Sequence, residues 1–220
     1  MKRIGVILSG CGVKDGSEIH EATLTLYYIY AKGAEAVCMS PDAPQAAVVD
    51  HRTGKETGEK RNMLTEAARI ARGEILPLES VKEADLDGLL LPGGFGAAMN
   101  LCTYAQKGRQ MEVRADVASL LEAVHRAGKP IGAICIAPVL VAAVFGRMGI
   151  PVEVTVGNDA SVAADIESFG ARHVEKPVHE AHVDEAHKIA TAPAYMLGQN
   201  IAEIAPGIEK VVEAVLRMAS

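Results

Sequence analysis

Of the four cysteines, Cys11, Cys38, Cys102 and Cys135, one stands where chemistry is built. The apolar run Ile131–Ile134 reads as a strand. It stops at Cys135, and Ile136-Ala-Pro138 opens a helical pattern. A residue at a strand-to-helix junction takes a tight turn and presents its side chain above the sheet. The helix start adds positive potential, which favours thiolate over thiol. The amide of Ile136 would point to where an oxyanion forms. Elsewhere in a chain a cysteine is usually a small buried hydrophobe; its position sets Cys135 apart.

Two further groups bear on this thiol. Pro92-Gly-Gly-Phe-Gly96 ends another strand, and glycines there let backbone approach a ligand and leave amides free to donate. Gly93 and Gly94 are therefore candidate substrate-binding positions. The segment lacks both the spacing of a dinucleotide-binding turn and the lysine of a phosphate loop. Glu18 and Glu21 lie one helical turn apart, so they share a face. One of them can reach back over the sheet end towards the thiol and relay protons during addition to a carbonyl. The other reading is that both favour the positive end of the helix dipole. His179-x-x-His182 falls in a stretch that reads as loop and strand, where residues three apart face opposite sides. No metal site is expected.

These groups need a scaffold that brings strand ends together. Strands are expected at Arg3–Ser9, Ala34–Met39, Leu86–Leu91, Ile131–Ile134, Val152–Val156 and Lys188–Thr191. Asp15-Gly-Ser-Glu18 resembles a capping box and predicts a helix to about Lys32, stopped by Gly33. Further helices are expected near Asn62–Arg72, Met111–Ala127, Cys135–Phe145, Ser161–Phe169, Tyr195–Ile204 and Gly207–Met218. Pro41–Arg61 reads as an excursion containing a hairpin. The alternation of strands and helices predicts an α/β fold, a single domain over residues 1–220. Its sheet is mostly parallel and covered by helices on both faces. In such sheets ligands bind outside the carboxyl ends of the strands, where Gly10-Cys-Gly12, Pro92-Gly-Gly94 and Cys135 all lie.

Composition fits this scaffold. The chain is 49% hydrophobic with no tryptophan, so its core is built from Ala, Val, Ile and Leu. The net charge of -6 is spread along the chain, with no basic stripe for nucleic acid or an anionic membrane surface. Neither nucleic acid nor membrane is expected as a partner. The cysteines form no C-x-x-C pair and no signal-peptide layout is seen, which suggests a cytoplasmic protein with reduced thiols.

Leu90-Leu-Pro-Gly-Gly94, Ala133-Ile-Cys-Ile-Ala-Pro138 and Glu18-x-x-Glu21 resemble the PfpI branch of the class I glutamine amidotransferase-like superfamily. The opening Ile4-Gly-Val-Ile-Leu-Ser-Gly-Cys-Gly12, Asp15-Gly-Ser-Glu-Ile-His-Glu21, Arg69-Ile-Ala-Arg-Gly-Glu-Ile75, Pro92-Gly-Gly-Phe-Gly-Ala-Ala98 and Thr191-Ala-Pro-Ala-Tyr-Met-Leu197 resemble its ElbB (enhancing lycopene biosynthesis) group more closely still. The resemblance spans nearly the whole chain. It implies a flavodoxin-like three-layer α/β/α sandwich with the thiol on a nucleophile elbow. It also implies a carboxylate partner about three helical turns before Gly33, which selects Glu21 ahead of Glu18. The matching oxyanion donors are the amides of Gly94 and Ile136.

The group's associated activity is a weak glyoxalase that needs neither glutathione nor metal, so the resemblance implies no cofactor and a small aldehyde substrate. Glyoxal would become glycolate, and methylglyoxal lactate. Homo-oligomers are common in the superfamily, and a homodimer is expected by analogy. Two departures narrow the chemistry. Protease-like members carry His where Ile136 stands, and amidotransferases carry a late His-x-Glu where Thr191-Ala-Pro-Ala194 stands. Neither peptidase nor glutaminase activity is expected. The competing expectation is a non-catalytic redox sensor, since a thiol beside a carboxylate is also a peroxide target. An isoprenoid-pathway accessory role rests on the group's name alone.

Overall fold

A computed structural model describes residues 1–219. The strands in chain order are β1 (Arg3–Ile7), β2 (Glu35–Ser40), β3 (Val49–Asp50), β4 (Lys55–Glu56), β5 (Leu76–Pro77), β6 (Gly88–Leu91), β7 (Ile131–Ile134), β8 (Glu153–Val154), β9 (Arg172–His173), β10 (His182–Asp184) and β11 (Ile189–Ala192). The helices are α1 (Ile19–Ala31), α2 (Met63–Ala67), α3 (Phe95–Met99), α4 (Tyr104–Lys107), α5 (Ala115–Arg126), α6 (Pro138–Arg147), α7 (Ala160–Ser168) and α8 (Ile201–Met218).

Side chains alternate across a strand, and in β1 both faces are apolar. Ile4 and Val6 point to one side, where they pack with Ala22 and Ile29 of α1 and with Ile208 and Val211 of α8. Ile7 points to the other side, into a cluster with Leu89 and Leu91 of β6 and with Val117 and Leu121 of α5. A sheet buried on both faces needs helices on both, which is the three-layer arrangement expected. Its seven strands run in the order β10-β11-β7-β6-β1-β2-β5. Only β10 is antiparallel, to β11.

The excursion after β2 contains the expected hairpin, β3 with β4. It packs back on the molecule: Asn100 Oδ1 accepts from the amide of Ala46 at 2.8 Å, and Asp15 Oδ2 from that of Val49 at 2.7 Å. Asp15 is thus occupied with this loop, and it is Glu18 that caps α1. The strand expected at Val152–Val156 shortens to β8, which pairs with β9 in a small separate sheet.

Two boundaries differ for a physical reason. The segment Tyr195–Ile204 is not one helix; only Ile201–Ile204 is α-helical, as the start of α8. A single turn of tighter 3₁₀ helix covers Ala194–Met196, and α8 then runs unbroken through Pro206. Proline removes a hydrogen bond to the carbonyl four residues earlier. That residue is Ala202, which is exposed, so water can satisfy the carbonyl. Similarly α5 begins at Ala115 rather than Met111, because Val113 forms an antiparallel bridge with Cys102.

Candidate active site

Cys135 follows the last residue of β7, with φ of 64°. Side chains other than glycine rarely adopt this left-handed region, and holding one there costs about 1–3 kcal/mol. The surroundings fix it: the Cys135 amide donates to the Ala192 carbonyl at 2.9 Å, and Ile134 and Ala137 are fully buried. The turn aims the thiol into a buried space at the carboxyl ends of β1, β6, β7 and β11.

Glu21, in the first turn of α1, comes to the same space. It is fully buried, and its carboxyl lies beside the Cys135 thiol: a Cβ on Gly93 would meet Glu21 Oε2 at 2.8 Å and the Cys135 sulfur at 3.0 Å. Its Oε2 accepts from the Gly93 amide at 2.9 Å and its Oε1 from the Tyr195 amide at 3.3 Å. Burial, reinforced by the nearby charge of Glu18, pushes Glu21 up to about 8. At neutral pH it is therefore largely a carboxylic acid. Glu18 does different work. Its Oε2 accepts from the Glu21 amide at 2.7 Å, capping α1, while its side chain edges the pocket.

The thiol does not match the expectation of a readily formed thiolate. Burial and the neighbouring Glu21 push Cys135 well above the ordinary thiol range. The nearby amides of Gly94 and Ile136 pull the other way, but they do not prevail. Helix α6 starts only at Pro138, so the sulfur does not sit directly on a helix end.

Glycines make this convergence possible. A Cβ on Gly93 would lie 2.5 Å from Cys135 Cβ and 2.8 Å from Glu21 Oε2. Gly94 has φ of 96°, and its turn docks on the loop before α1. There the Gly93 carbonyl accepts from the Glu18 amide at 3.0 Å, and the Phe95 amide donates to Val13 at 2.7 Å. This docking leaves the Gly94 amide facing the sulfur. Gly93 was expected to face a ligand; instead its amide is committed to Glu21, so it holds the carboxyl in place.

Above the thiol lies a pocket of about 300 Å³. Phe95, Ala98, Tyr104, Ile136, Tyr195 and Met196 form most of its wall. Two of these rings are anchored: the Tyr104 hydroxyl donates to Asp165 Oδ2 at 2.9 Å, and the Tyr195 hydroxyl lies 2.7 Å from His20 Nδ1. Sequence reasoning missed Tyr195. Its place depends on Ala194, a non-glycine residue with φ of 43°, which nothing in the sequence signals. His182 Nε2 lies 2.9 Å from Glu153 Oε2. Among the described residues no group of three or more His, Cys, Asp or Glu is placed to hold a metal.

The mostly parallel sheet with a cysteine on the turn after one of its inner strands, β7, is the DJ-1 and PfpI type of α/β fold. A DJ-1 superfamily protein from Agrobacterium tumefaciens superimposes with a TM-score of 0.56 at 17% identity, over 99% of this chain and 89% of that one. No family model matches the chain. Whole-length relatives do. Glutamine amidotransferase-like class 1 domain-containing protein 3, mitochondrial, of Homo sapiens is 46% identical over 98% of this chain and 83% of its own. The ES1 protein, mitochondrial, of Danio rerio is 32% identical over 99% and 86%. A crystal structure from Ehrlichia chaffeensis, described as an isoprenoid biosynthesis protein with an amidotransferase-like domain, is 32% identical with a TM-score of 0.93 over 99% of both chains. The chain belongs to this family of glutamine amidotransferase-like class 1 domain (ES1) proteins.

These relatives overturn one expectation. A cytoplasmic location was inferred from composition and unpaired thiols, whereas the curated relatives are named mitochondrial. Reduced cysteines and a mild acidic charge fit any reducing compartment, so they could not separate the two.

Proposed function

We propose that this protein is a cofactor-independent glyoxalase in which Cys135 is the nucleophile and Glu21 the proton-transfer group. The observation that carries the reading is the Cys135 thiol on its strained turn beside the buried Glu21 carboxyl, with Gly93 packed against both.

The chemistry follows from those contacts. As sulfur bonds to the aldehyde carbon, the thiol proton passes to Glu21 in its ionised form. The carbonyl electrons move to oxygen, which the amides of Gly94 and Ile136 are placed to stabilise. Glu21 passes the proton it took to that oxygen, which gives a hemithioacetal and restores the carboxylate. Glu21 then removes the hydrogen on the sulfur-bearing carbon as a proton, giving an enediolate, and returns it to the neighbouring carbon while the hydroxyl proton moves to the neighbouring oxygen. One carbon is oxidised and its neighbour reduced, so no external electron acceptor is needed. The product is a thioester, which water cleaves to the 2-hydroxy acid, and the thiol is regenerated. The acid ionises on release. No lysine or arginine lines the pocket and Glu18 edges it, so an anionic product is not retained.

A sensing role has less support. A buried thiol held in its neutral form reacts slowly with peroxide, because the thiolate is the nucleophile. Acid-quenched mass spectrometry of the protein mixed with glyoxal tests the proposal. A glycolyl group on Cys135 is expected; no adduct, or one only on the partly exposed Cys11, would contradict it.

A further inference from the structure

The pocket says more about the substrate than the reactive groups do. Its wall is almost wholly hydrocarbon, with Phe95, Ala98, Ile136 and Met196 around the thiol and the faces of Tyr104 and Tyr195 beside them. The two tyrosine hydroxyls are turned to Asp165 and His20. No cation lines the pocket, and the acidic Glu18 edges it, which disfavours a carboxylate-bearing substrate. The volume of about 300 Å³ lies at the lower end of the range for small-molecule sites. Glyoxal and methylglyoxal would leave most of that space unfilled. Both are also polar and hydrated in water, and they gain little from an apolar wall.

We infer that the pocket takes an uncharged carbonyl compound whose carbonyl is joined to an aromatic or branched alkyl group. Within the glyoxalase reading, on which its catalytic form rests, this is an aryl or branched-alkyl α-oxoaldehyde. The apolar group would lie against Phe95, Ala98 and Met196, with the aldehyde carbon over Cys135. The reaction is the one given above: the thiol adds to the aldehyde, hydrogen shifts to the adjacent ketone carbon, and water releases an aryl- or alkyl-substituted 2-hydroxy acid. Phe95 is about half exposed at 56%, and Val13 beside it is 38% exposed, so the pocket mouth is also apolar. That gives such a group a continuous path inward from solvent.

Two measurements test this. The first compares kcat/KM for phenylglyoxal, methylglyoxal and glyoxal. One well-placed methylene in an apolar pocket is worth about tenfold or more, so phenylglyoxal should exceed methylglyoxal by at least about tenfold. In Ala98→Phe, which fills the pocket, the ratio of phenylglyoxal to glyoxal should fall by about the same factor. The second uses acetophenone, which has the ring but no aldehyde, and reads its thermal shift on Cys135→Ser, whose chemistry is removed. A rise in melting temperature with acetophenone, and none with the anion phenylglyoxylate, is expected. Equal or faster turnover of glyoxal, or no shift with acetophenone, would overturn the inference. No turnover of any aldehyde, together with a shift from acetophenone, would sink the glyoxalase reading and leave the apolar occupant standing.

Discussion

Glu21 and Cys135, far apart in sequence, lie side by side inside the protein, with Gly93 packed against both. Glu21 raises the thiol's hold on its proton, whereas burial and Glu18 hold the proton on Glu21 and the thiol eases it. Burial removes the water that would stabilise either charge, and the two negative forms repel at contact distance. The pair therefore rests neutral and becomes reactive only when one proton leaves.

This gives the rate a defined pH dependence. Addition of the thiol needs Glu21 ionised to accept its proton, and Glu21 titrates at about 8. Turnover should therefore rise with pH through that region, as one titration of the coupled pair. A flat profile from neutral pH upward would show that Glu21 is not the acceptor.

The same coupling predicts opposite effects of one substitution on two readouts. Cys135 should be alkylated by iodoacetamide more slowly than a free thiol at neutral pH. Above about pH 8, where Glu21 is ionised, Glu21→Gln removes the negative neighbour, so alkylation of Cys135 should become faster. Turnover should meanwhile fall by about a hundredfold or more, in the range for loss of a general base. Alkylation followed by peptide mapping, beside a product assay, separates these effects.

Stability should also depend on Glu21. Its folded pKa is raised, so the native state holds a proton that the unfolded chain releases above its ordinary value of 4.5. The stabilising contribution is complete below that pH and is lost as pH rises through about 8. Between the two, stability should fall by up to about 1.4 kcal/mol per pH unit from this group. Glu21→Gln should flatten that part of the curve, as measured by chemical denaturation across the pH range.

Gly93→Ala should disable the site sterically. Its φ is not in the left-handed region, so the added methyl meets the neighbours rather than backbone strain. The clash, 2.5 Å from Cys135 Cβ, should cost about 1–3 kcal/mol in stability. The displaced pair should lose about a hundredfold in rate. Thermal melting and kinetics together check both.

The φ of 64° at Cys135 makes a further prediction. Glycine adopts this region freely, whereas alanine does not. Cys135→Gly should be more stable than Cys135→Ala by about 1 kcal/mol, the reverse of the usual order. Equal denaturation midpoints would indicate that the turn relaxes when the thiol is removed.

Much of this arrangement was legible in the sequence because it rests on local patterns. Ile131–Ile134 running into Cys135 marks a strand and a turn, and the spacing of Glu18 and Glu21 puts both on one side of the first helix turn. Which glutamate meets the thiol was selected only through resemblance to known proteins; the fold adds the contact. The thiol's proton affinity was misjudged because burial is a tertiary property, and it outweighs the amides that a strand-to-helix turn supplies. Tyr195 was missed because its amide reaches Glu21 through the unusual backbone of Ala194. Separate helices were expected on either side of Pro206, but an exposed carbonyl one turn earlier lets one helix run through it.

The central claim is that Cys135 and Glu21 together convert an α-oxoaldehyde to a 2-hydroxy acid. Its most direct test is the rate of 2-hydroxy acid formation, followed by proton NMR with glyoxal and phenylglyoxal, for the unaltered protein, Cys135→Ala and Glu21→Gln. The prediction is formation well above the buffer rate for the unaltered protein and at the buffer rate for both variants, with all three folded. Unaltered protein no faster than buffer, or either variant retaining its rate, would contradict the claim.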